Sequence, residues 1–361
     1  MLGEVRMRAF DYSSLRDRTW SNEIVSHVAQ IHEFKGKQEH YFAAKPTALR
    51  RLVEIARIQS TEGSNSIEGI RTTGPRLRKL ITDKTTPRNR DEEEILGYRN
   101  VLDLIHESYE YIPVRPSYVL QLHRDLLRYT SYSYGGSFKS TPNEIGTVLA
   151  DGGTSTVFTP LEPREVPEAI EQLCNAYNSA IAENEVDPLI LIPCFVLDFL
   201  CIHPFKDGNG RMSRLLTLLL LYRAGYHIGR YISIEKAIAD TKDSYYHALA
   251  AADVGWHTSE NDPKPFIQYM LSIILSCYRD LESRIRTVED AGVRSTAYDI
   301  VRRYSLEKVG TFTKRDALEG CPNLGSSSVE SALKKLVDDG TLTRLGAGRR
   351  TRYVRRDSFE R

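Results

Sequence analysis

The side chains with the clearest chemistry stand in one polar segment, residues 203–214, whose sequence is His-Pro-Phe-Lys-Asp-Gly-Asn-Gly-Arg-Met-Ser-Arg. A leucine-rich run follows it, and such a run has a high propensity for helix. Gly208 and Gly210 permit backbone angles and close approaches that a larger residue forbids, so successive N–H groups can converge on an anion. Because the start of a helix also carries positive charge, the segment predicts a phosphate site.

The charged residues of this segment add further chemistry to the predicted site. Arg211 and Arg214 are three residues apart and share one face of the first helical turn, where two guanidiniums could grip phosphate oxygens. Asp207 is the only acidic residue of the segment, and Mg²⁺ beside phosphates needs a carboxylate. His203 is the side chain best suited to accept a proton near neutral pH. The segment therefore predicts a base, a metal ligand and a phosphate cradle.

The segment matches, without a gap, the signature His-x-Phe-x-Asp/Glu-Gly-Asn-Gly-Arg-x-x-Arg. In this respect the chain resembles the Fic (Fido-domain) protein adenylyltransferases. The resemblance implies that His203 deprotonates a target hydroxyl, that Asp207 holds Mg²⁺ and that Phe205 is a packing residue. It also implies that the Gly208–Gly210 turn cradles the α- and β-phosphates of ATP, while Arg214 reaches the γ-phosphate. On the residues alone, the alternative is a capped helix start with a solvated basic face.

Composition bounds the class of protein. At 361 residues the chain is long enough for two or three domains, and its 41% hydrophobic and 27% charged residues are ordinary for a soluble globular protein. The net charge of +1 gives no overall bias towards nucleic acid or membrane. The longest apolar run, residues 189–202, is shorter than a membrane span needs, and no signal peptide opens the chain. Five cysteines without a C-x-x-C pair predict reduced core residues of a cytoplasmic protein.

A second stretch, nearer the N-terminus, bears on regulation. Pro46 is expected to open a helix that reaches Ser64-x-x-x-Glu68-Gly69, and this fits the inhibitory-helix motif Ser/Thr-x-x-x-Glu-Gly/Asn of many Fic proteins. The resemblance implies that Glu68 limits the reaction by pairing with Arg214 and displacing the γ-phosphate. The alternative is a helix end with a solvated glutamate and a glycine C-cap.

Residues 135–139, Gly-Gly-Ser-Phe-Lys, resemble the turn that leads into the family's flap, a β-hairpin, although the family usually has Arg in place of Lys139. The first flap strand is expected at residues 143–148 and a turn at 151–155, and residues 157–160 are expected to lead out of the hairpin. An exposed strand can pair with an extended segment of another protein and present its hydroxyl to the base. The implied partner is a protein substrate, including the protein itself. A purely structural hairpin is the alternative.

Tyr245 and Tyr246 resemble the Tyr-Tyr pair of the family, whose rings lie near the nucleotide base, although aromatic pairs on helices are more often core. The ATP-binding residues that the resemblance implies are Ile145, Gly146, Thr147, Val148, Asp207, Gly208, Asn209, Gly210, Arg211, Met212, Ser213, Arg214, Tyr245 and Tyr246. The implied catalytic residue is His203, the metal ligand Asp207 and the inhibitory residue Glu68.

From residue 291 the chain is basic, whereas the rest is mildly acidic. Three short helical patterns and a hairpin pattern follow one another, at residues 296–305, 313–318, 326–339 and 341–354. Their order resembles a winged helix-turn-helix, in which the third helix would be the recognition helix and Arg349 and Arg350 would tip the wing. That helix has only two lysines against three acidic residues. DNA binding and protein docking or dimerisation therefore both stay open.

The sequence thus predicts a mainly α protein in three parts: an N-terminal helical region with the inhibitory motif (residues 1–110), a Fic/Fido helical core with a β-hairpin flap (111–287) and a C-terminal winged helix (288–361). The predicted function is transfer of AMP from Mg-ATP to a Ser, Thr or Tyr hydroxyl of a protein, with ATP as substrate and Mg²⁺ as cofactor. Two alternatives stay open. One is removal of AMP from a modified protein, with Glu68 orienting water, and the other is a DNA-binding regulator whose core only senses nucleotide. A homodimer is compatible with the sequence, and no membrane contact is expected.

Overall fold

The computed structural model describes residues 8, 10–44, 46–82, 85–148, 154–291, 296–308 and 310–356. Within these residues the chain is mainly α, as the sequence predicts, with two small antiparallel sheets. The helices are α1 (Asn22–Ala44), α2 (Pro46–Ile67), α3 (Gly74–Ile81), α4 (Arg90–Ser108), α5 (Pro116–Leu126), α6 (Val166–Glu183), α7 (Pro188–Ile202), α8 (Asn209–Arg223), α9 (Ile234–Asp240), α10 (Lys242–Ala252), α11 (Lys264–Ala291), α12 (Ala297–Glu307), α13 (Lys314–Gly320) and α14 (Ser326–Asp338). The strands are β1 (Ile145–Val148), β2 (Thr154–Phe158), β3 (Leu342–Leu345) and β4 (Arg352–Arg355).

Helix α1 is longer than its sequence pattern suggests. The sequence predicts a helix from Ser21, a good N-cap, through His32. The start agrees with this prediction, because the Ser21 hydroxyl accepts a hydrogen bond from the Ile24 N–H at 3.2 Å. The helix continues to Ala44 and does not end at His32. Beyond that point the helix still packs on α11, where the rings of Phe34 and Tyr278 stack with centroids 5.6 Å apart. Tertiary packing therefore extends the helix past the end of its clear apolar stripe.

Helices α7 and α8 form the centre of the molecule. Every residue from Leu189 to Ile202 is buried, and so is the run from Arg211 to Tyr222. Helices α4, α6 and α11 pack around this pair. A helix that is apolar on all sides has to be enclosed in this way. The polar loop that joins α7 to α8 is consequently held at the end of a rigid core.

The core does not divide at the first predicted domain boundary. One hydrophobic cluster extends from Tyr12 to Ile285 and joins α1 and α2 to the later helices. The boundary at residue 110 therefore does not coincide with a break in packing, and it stays a prediction. All five cysteines are free and buried, in line with their interpretation as core residues. No helix of the described residues is long and apolar enough to cross a membrane.

The elements predicted for the last part of the chain are present. Helices α12 to α14 and the β3–β4 hairpin enclose a core of their own, from Ile300 to Leu342, and Phe312 bridges to Tyr353 beside the hairpin. We refer to residues 297–356 as the tail unit. Its assignment as a winged helix stays an interpretation, and the side chain of Arg349, one of the predicted wing-tip residues, lies outside the described part of the chain.

The tail unit contacts α2, the helix that ends immediately before Glu68. Arg315 of α13 pairs with Glu62 of α2 at 2.8 Å, and Glu319 accepts a hydrogen bond from Gln59 of α2 at 2.8 Å. The ion pair is partly exposed to solvent, with 43% of the Arg315 side chain and 36% of the Glu62 side chain accessible. Exposed pairs of this kind contribute little to stability, so this contact positions the tail unit more than it strengthens the core.

The predicted flap is present as a two-stranded hairpin, β1 and β2. Ile145 lies opposite Phe158 and Val148 opposite Thr154, with an irregularity between Ile145 and Gly146. The first strand begins at residue 145 instead of residue 143. Residues 151–153 of the predicted turn lie outside the described residues.

Candidate active site

The loop between α7 and α8, residues 203–208, is shaped by two left-handed backbone conformations. His203 ends α7 with φ 50° and ψ 61°, and Gly208 precedes α8 with φ 84°. The Asn209 side chain closes the loop, since its Oδ1 accepts from the Phe205 N–H at 2.9 Å and its Nδ2 donates to the Phe205 carbonyl at 2.7 Å. We call residues 203–208 the motif loop. The Asn209 side chain is therefore occupied in holding this loop, so the predicted contact of Asn209 with ATP would fall to its backbone.

The aromatic residue of the motif loop is a packing residue, as predicted. Phe205 is fully buried and stacks on His123 of α5, with ring centroids 3.6 Å apart. Nδ1 of His123 accepts from the Gly136 N–H at 3.1 Å, so Nε2 carries the proton and donates to the Asp207 carbonyl at 3.0 Å. Burial lowers the pKa of His123 to about 4, which keeps this ring neutral. Sequence reasoning did not single out His123, because its partners are distant in sequence.

The imidazole of His203 is prepared to act as a base. Its Nδ1 lies 3.2 Å from the Leu200 carbonyl and so carries the proton, which leaves the Nε2 lone pair available. Burial lowers the pKa of His203 to about 4, and the ammonium of Lys139 acts in the same direction. A ring that is neutral at physiological pH, with one nitrogen unprotonated, can accept a proton from a hydroxyl.

The positive end of α8 is covered by a carboxylate. Glu68 Oε1 lies 2.7 Å from Arg214 Nη2, and the same guanidinium donates to the Ser64 hydroxyl at 2.8 Å and to the Ser64 carbonyl at 2.9 Å. A Cβ added at Gly210 would stand only 2.3 Å from Glu68 Oε1. The carboxylate thus rests on the first turn of α8, where the sequence predicts phosphate.

Charges around Glu68 keep it ionised. Burial alone would raise the pKa of its carboxyl, but Arg214, with Arg211 and Lys242, holds that pKa below its usual value. Lys242 also donates from Nζ to the Ile67 carbonyl at 2.7 Å, at the C-terminal end of α2. Sequence reasoning did not single out Lys242, because nothing local marks a lysine that reaches another helix.

Helix α2 is held on its far side by buried polar contacts. The carboxylate of Glu235 in α9 accepts from the Ser60 hydroxyl at 2.7 Å and from the Tyr98 hydroxyl at 3.2 Å. Unsatisfied buried carboxylates are costly, so such a network specifies one position for the helix. The site of Glu68 is consequently set by the core and not by a mobile chain end.

The two arginines of the motif do not lie side by side in the cradle, which corrects one expectation. The Arg211 side chain is 1% exposed, and its Nη1 lies 2.7 Å from Oε2 of the buried Glu94 in α4. Glu94 also accepts from Arg90 Nε at 2.7 Å. Positions three apart on a helix differ by about 60° in direction, and Glu94 draws Arg211 beneath the motif loop. Arg214 alone therefore faces the cradle, and an ATP contact of Arg211 stays a prediction for its backbone N–H.

Asp207 stands at the rim of the cradle with a side chain that is 39% exposed. Its Oδ1 accepts from the Gly208 N–H at 2.6 Å and lies 3.7 Å from Arg211 Nη2. Among the described residues no group of three or more His, Cys, Asp or Glu side chains could hold a metal ion. One accessible carboxylate beside a phosphate site nevertheless fits Mg²⁺, which keeps several waters and takes its other ligands from substrate phosphates.

The remaining predicted residues surround the cradle in different ways. Met212 and Ser213 are buried in α8, so contact with ATP falls to their backbones. Tyr245 is buried against Phe266 with centroids 5.9 Å apart, whereas Tyr246 is 42% exposed. Ile145 and Gly146 stand at the open flap, and the side chains of Thr147 and Val148 lie outside the described part of the chain.

We predict that NMR titration of the full chain gives His203 a pKa of about 4 and an Nδ1-protonated ring, because the ring is buried and bonded to Leu200. The folded pKa lies below that of a free histidine, so the ring stays neutral between pH 4 and the usual value near 6.5, where free imidazole gains a proton. The resonance is assigned by its loss in His203→Gln. A midpoint near 6.5 would contradict this environment.

A model of the Fic/DOC family matches residues 113–221 of the chain. Among curated proteins, the protein adenylyltransferase Fic of Drosophila grimshawi is 29% identical over 227 residues, which are 62% of this chain and 42% of that protein. The protein of the same name from Drosophila melanogaster is 28% identical over 282 residues, or 74% of this chain and 50% of that protein. The chain spans about half the length of the curated relatives it matches.

Solved structures share the fold. A Fic family protein from Desulfovibrio desulfuricans superposes with a TM-score of 0.57 at 21% identity, over 94% of this chain and 97% of that one. A Fic domain containing signaling protein from Bacteroides thetaiotaomicron gives a TM-score of 0.60 at 24% identity, over 71% of this chain and 98% of that one. Residues 113–221 are thus similar to the Fic/DOC family, and the chain shares the fold of the solved Fic proteins.

Proposed function

We propose that this protein is a protein adenylyltransferase, which transfers AMP from ATP to a hydroxyl of a protein. One observation carries the proposal: the unprotonated Nε2 of His203 stands beside a helix start that already binds a carboxylate. A base next to an anion-binding helix start suits attack of a hydroxyl on a phosphate. The curated relatives bear the name of this activity.

The phosphates of ATP would bind at the first turn of α8, where the Glu68 carboxylate lies in this structure. The first N–H groups of α8 have no partner within the helix, and the helix dipole favours negative charge there. Arg214 would meet the γ-phosphate, for which a planar guanidinium is well suited. Asp207 is the residue that would hold Mg²⁺, and the ion, when bound, neutralises charge on the phosphates.

The chemical step follows from the position of His203. As the target oxygen attacks the α-phosphorus, Nε2 of His203 takes the hydroxyl proton. The bond between the α-phosphorus and the oxygen that bridges to the β-phosphate breaks, and pyrophosphate leaves with that electron pair. The target keeps AMP through a new phosphodiester. The N–H groups of α8 stabilise the charge that develops on the α-phosphate.

The flap hairpin offers an edge on which a target can dock. A segment of the target that pairs with β1 or β2 would lie across the mouth of the cradle. Ser, Thr and Tyr hydroxyls all fit this chemistry, and the protein itself is one target. Cytoplasmic location, dimerisation and DNA contact by the tail unit stay predictions from the sequence.

In the resting chain Glu68 would oppose this reaction, because ATP must displace it to reach Arg214. The pair is partly shielded from water, because the Arg214 side chain is 3% exposed and that of Glu68 33%. A charge-assisted pair of this kind contributes on the order of 1–3 kcal/mol. Competition of that size suppresses productive ATP binding by roughly tenfold to a hundredfold. Glu68 is thus proposed as an inhibitory residue.

We predict that the Glu68→Ala protein labels itself with α-³²P-ATP but not with γ-³²P-ATP, because AMP and not phosphate is transferred. His203→Ala in that background should lower the rate by roughly a hundredfold or more, the usual contribution of a general base. Its ATP affinity should stay within about threefold, since the imidazole acts on the hydroxyl and not on the phosphates. Exposed His32 supplies the matched control, His32→Ala. Transfer that survives in His203→Ala, or label from the γ-phosphate, would contradict the proposal.

We predict that Glu68→Ala raises the initial rate of self-modification at fixed ATP by at least roughly tenfold relative to the natural sequence. Glu54 lies exposed on α2, the helix that ends just before Glu68, so Glu54→Ala is the matched control and should stay within about twofold. Arg214→Ala should abolish the gain in the double variant, because Arg214 is needed for the γ-phosphate. If Glu68→Ala were no faster than the natural protein, the inhibitory role would be wrong.

A further inference from the structure

The turn that carries His203 is bonded to the segment just before the flap by two residues, Lys139 and Asn143. Lys139 donates from its backbone N–H to the Pro204 carbonyl at 2.9 Å and from Nζ to the Ile202 carbonyl at 3.4 Å. Lys139 Nζ also donates to Asn143 Oδ1 at 2.7 Å, and Asn143 Nδ2 donates to the Phe205 carbonyl at 3.0 Å. The carbonyls on both sides of His203 are thus held from the flap.

These bonds act on a backbone conformation that needs support. His203 has a positive φ of 50°, which a residue other than glycine adopts only rarely. Such conformations persist where the surrounding structure determines them from several directions. The core holds the α7 side of this turn, and Lys139 with Asn143 holds the side that faces the flap.

Lys139 is an unusual residue for a purely structural contact. It is 4% exposed, and no carboxylate of the described residues pairs with it at ion-pair distance. A buried ammonium with only neutral oxygens around it is costly. Burial lowers the pKa of Lys139 to about 8, and the more distant Glu162 and Glu165 partly offset this effect. The cost of burying this group is explicable if its hydrogen bonds and its charge serve the site.

Asn143 connects the same contacts to the flap. It stands two residues before β1, which begins at Ile145. Because Asn143 is bonded both to Lys139 and to the motif loop, the start of β1 is fixed relative to His203. The turn that bears His203 and the start of β1 are therefore held together as one rigid unit. The first carries the base, and the second offers an edge to a target.

We propose that Lys139 and Asn143 are positioning residues that set the orientation of His203 and the register of the flap against it. This inference rests on the proposed function, in which the flap presents the target hydroxyl. Lys139 acts on His203 through the turn and through its charge, and Asn143 acts through the turn alone. Neither side chain is assigned a contact with ATP or with the target.

The effect of Lys139 through its charge can be separated from its effect through the turn. Lys139 lowers the pKa of His203, whereas Glu68 and Asp207, the other charged groups that act on this ring, raise it. Removing the ammonium should therefore raise the pKa of His203, and the acid limb of the transfer rate should move to higher pH. Arginine at this position keeps the charge and a donor for the same carbonyls, so it should restore both.

The test compares Lys139→Met, Lys139→Arg and Asn143→Ala in the full chain, with exposed Lys334→Met as a matched control. In Lys139→Met the NMR midpoint of His203 should rise by roughly half a unit or more. Single-turnover self-modification, measured in the Glu68→Ala background, should fall at least roughly tenfold with ATP affinity within about twofold, as expected for lost positioning. Lys139→Arg and Lys334→Met should match the parent protein within about threefold.

Asn143→Ala keeps the buried charge of Lys139 but loses the bond to the Phe205 carbonyl and the acceptor that Asn143 Oδ1 offers to Lys139 Nζ. Its rate should fall at least roughly threefold with no change in the midpoint of His203, and it supplies the test if Lys139→Met does not fold. An unchanged midpoint in Lys139→Met, or a rate in Asn143→Ala equal to that of the parent, would overturn the proposal. The titration needs no enzymatic activity, so its result stands even if no AMP transfer is found.

Discussion

The positive start of α8 is the feature on which the rest of the site depends. This helix is enclosed by the core, so its first N–H groups and the nearby guanidinium of Arg214 need an acceptor. Glu68 supplies one in the described conformation, at 2.7 Å from Arg214. In the proposed reaction the phosphates of ATP supply it instead. One electrostatic requirement thus accounts both for binding of the nucleotide and for inhibition of the reaction by Glu68.

Several buried contacts keep that helix start and its surroundings in place. Glu94 draws Arg211 under the motif loop, Asn209 closes the loop on itself, and Glu235 fixes α2 from behind. Each places a charged or polar group where burial makes an unpaired partner expensive. The energetic cost of disturbing these contacts explains how a loop of glycine and polar residues can hold one shape.

The sequence predicted those features that depend on neighbours along the chain. The motif of residues 203–214, the helices opened by Ser21 and Pro46, the flap hairpin and the order of elements in the tail unit all carry local patterns. The partners of Arg211, His123, Lys139 and Lys242 carry none, because their contacts join elements far apart in sequence. For the same reason the sequence suggested two guanidiniums in the cradle, where the structure has one. The predicted end of α1 was wrong, because packing on α11 extends the helix beyond its apolar stripe.

The central claim is that Glu68 occupies the place of the γ-phosphate on Arg214, and calorimetry of ATP and ADP tests it most directly. Both nucleotides are titrated into His203→Ala, which prevents turnover, with and without Glu68→Ala. Removal of Glu68 should tighten ATP binding by at least roughly tenfold and ADP binding by far less, since ADP lacks the group that competes for Arg214. An equal gain for ATP and ADP, or none for ATP, would contradict the claim.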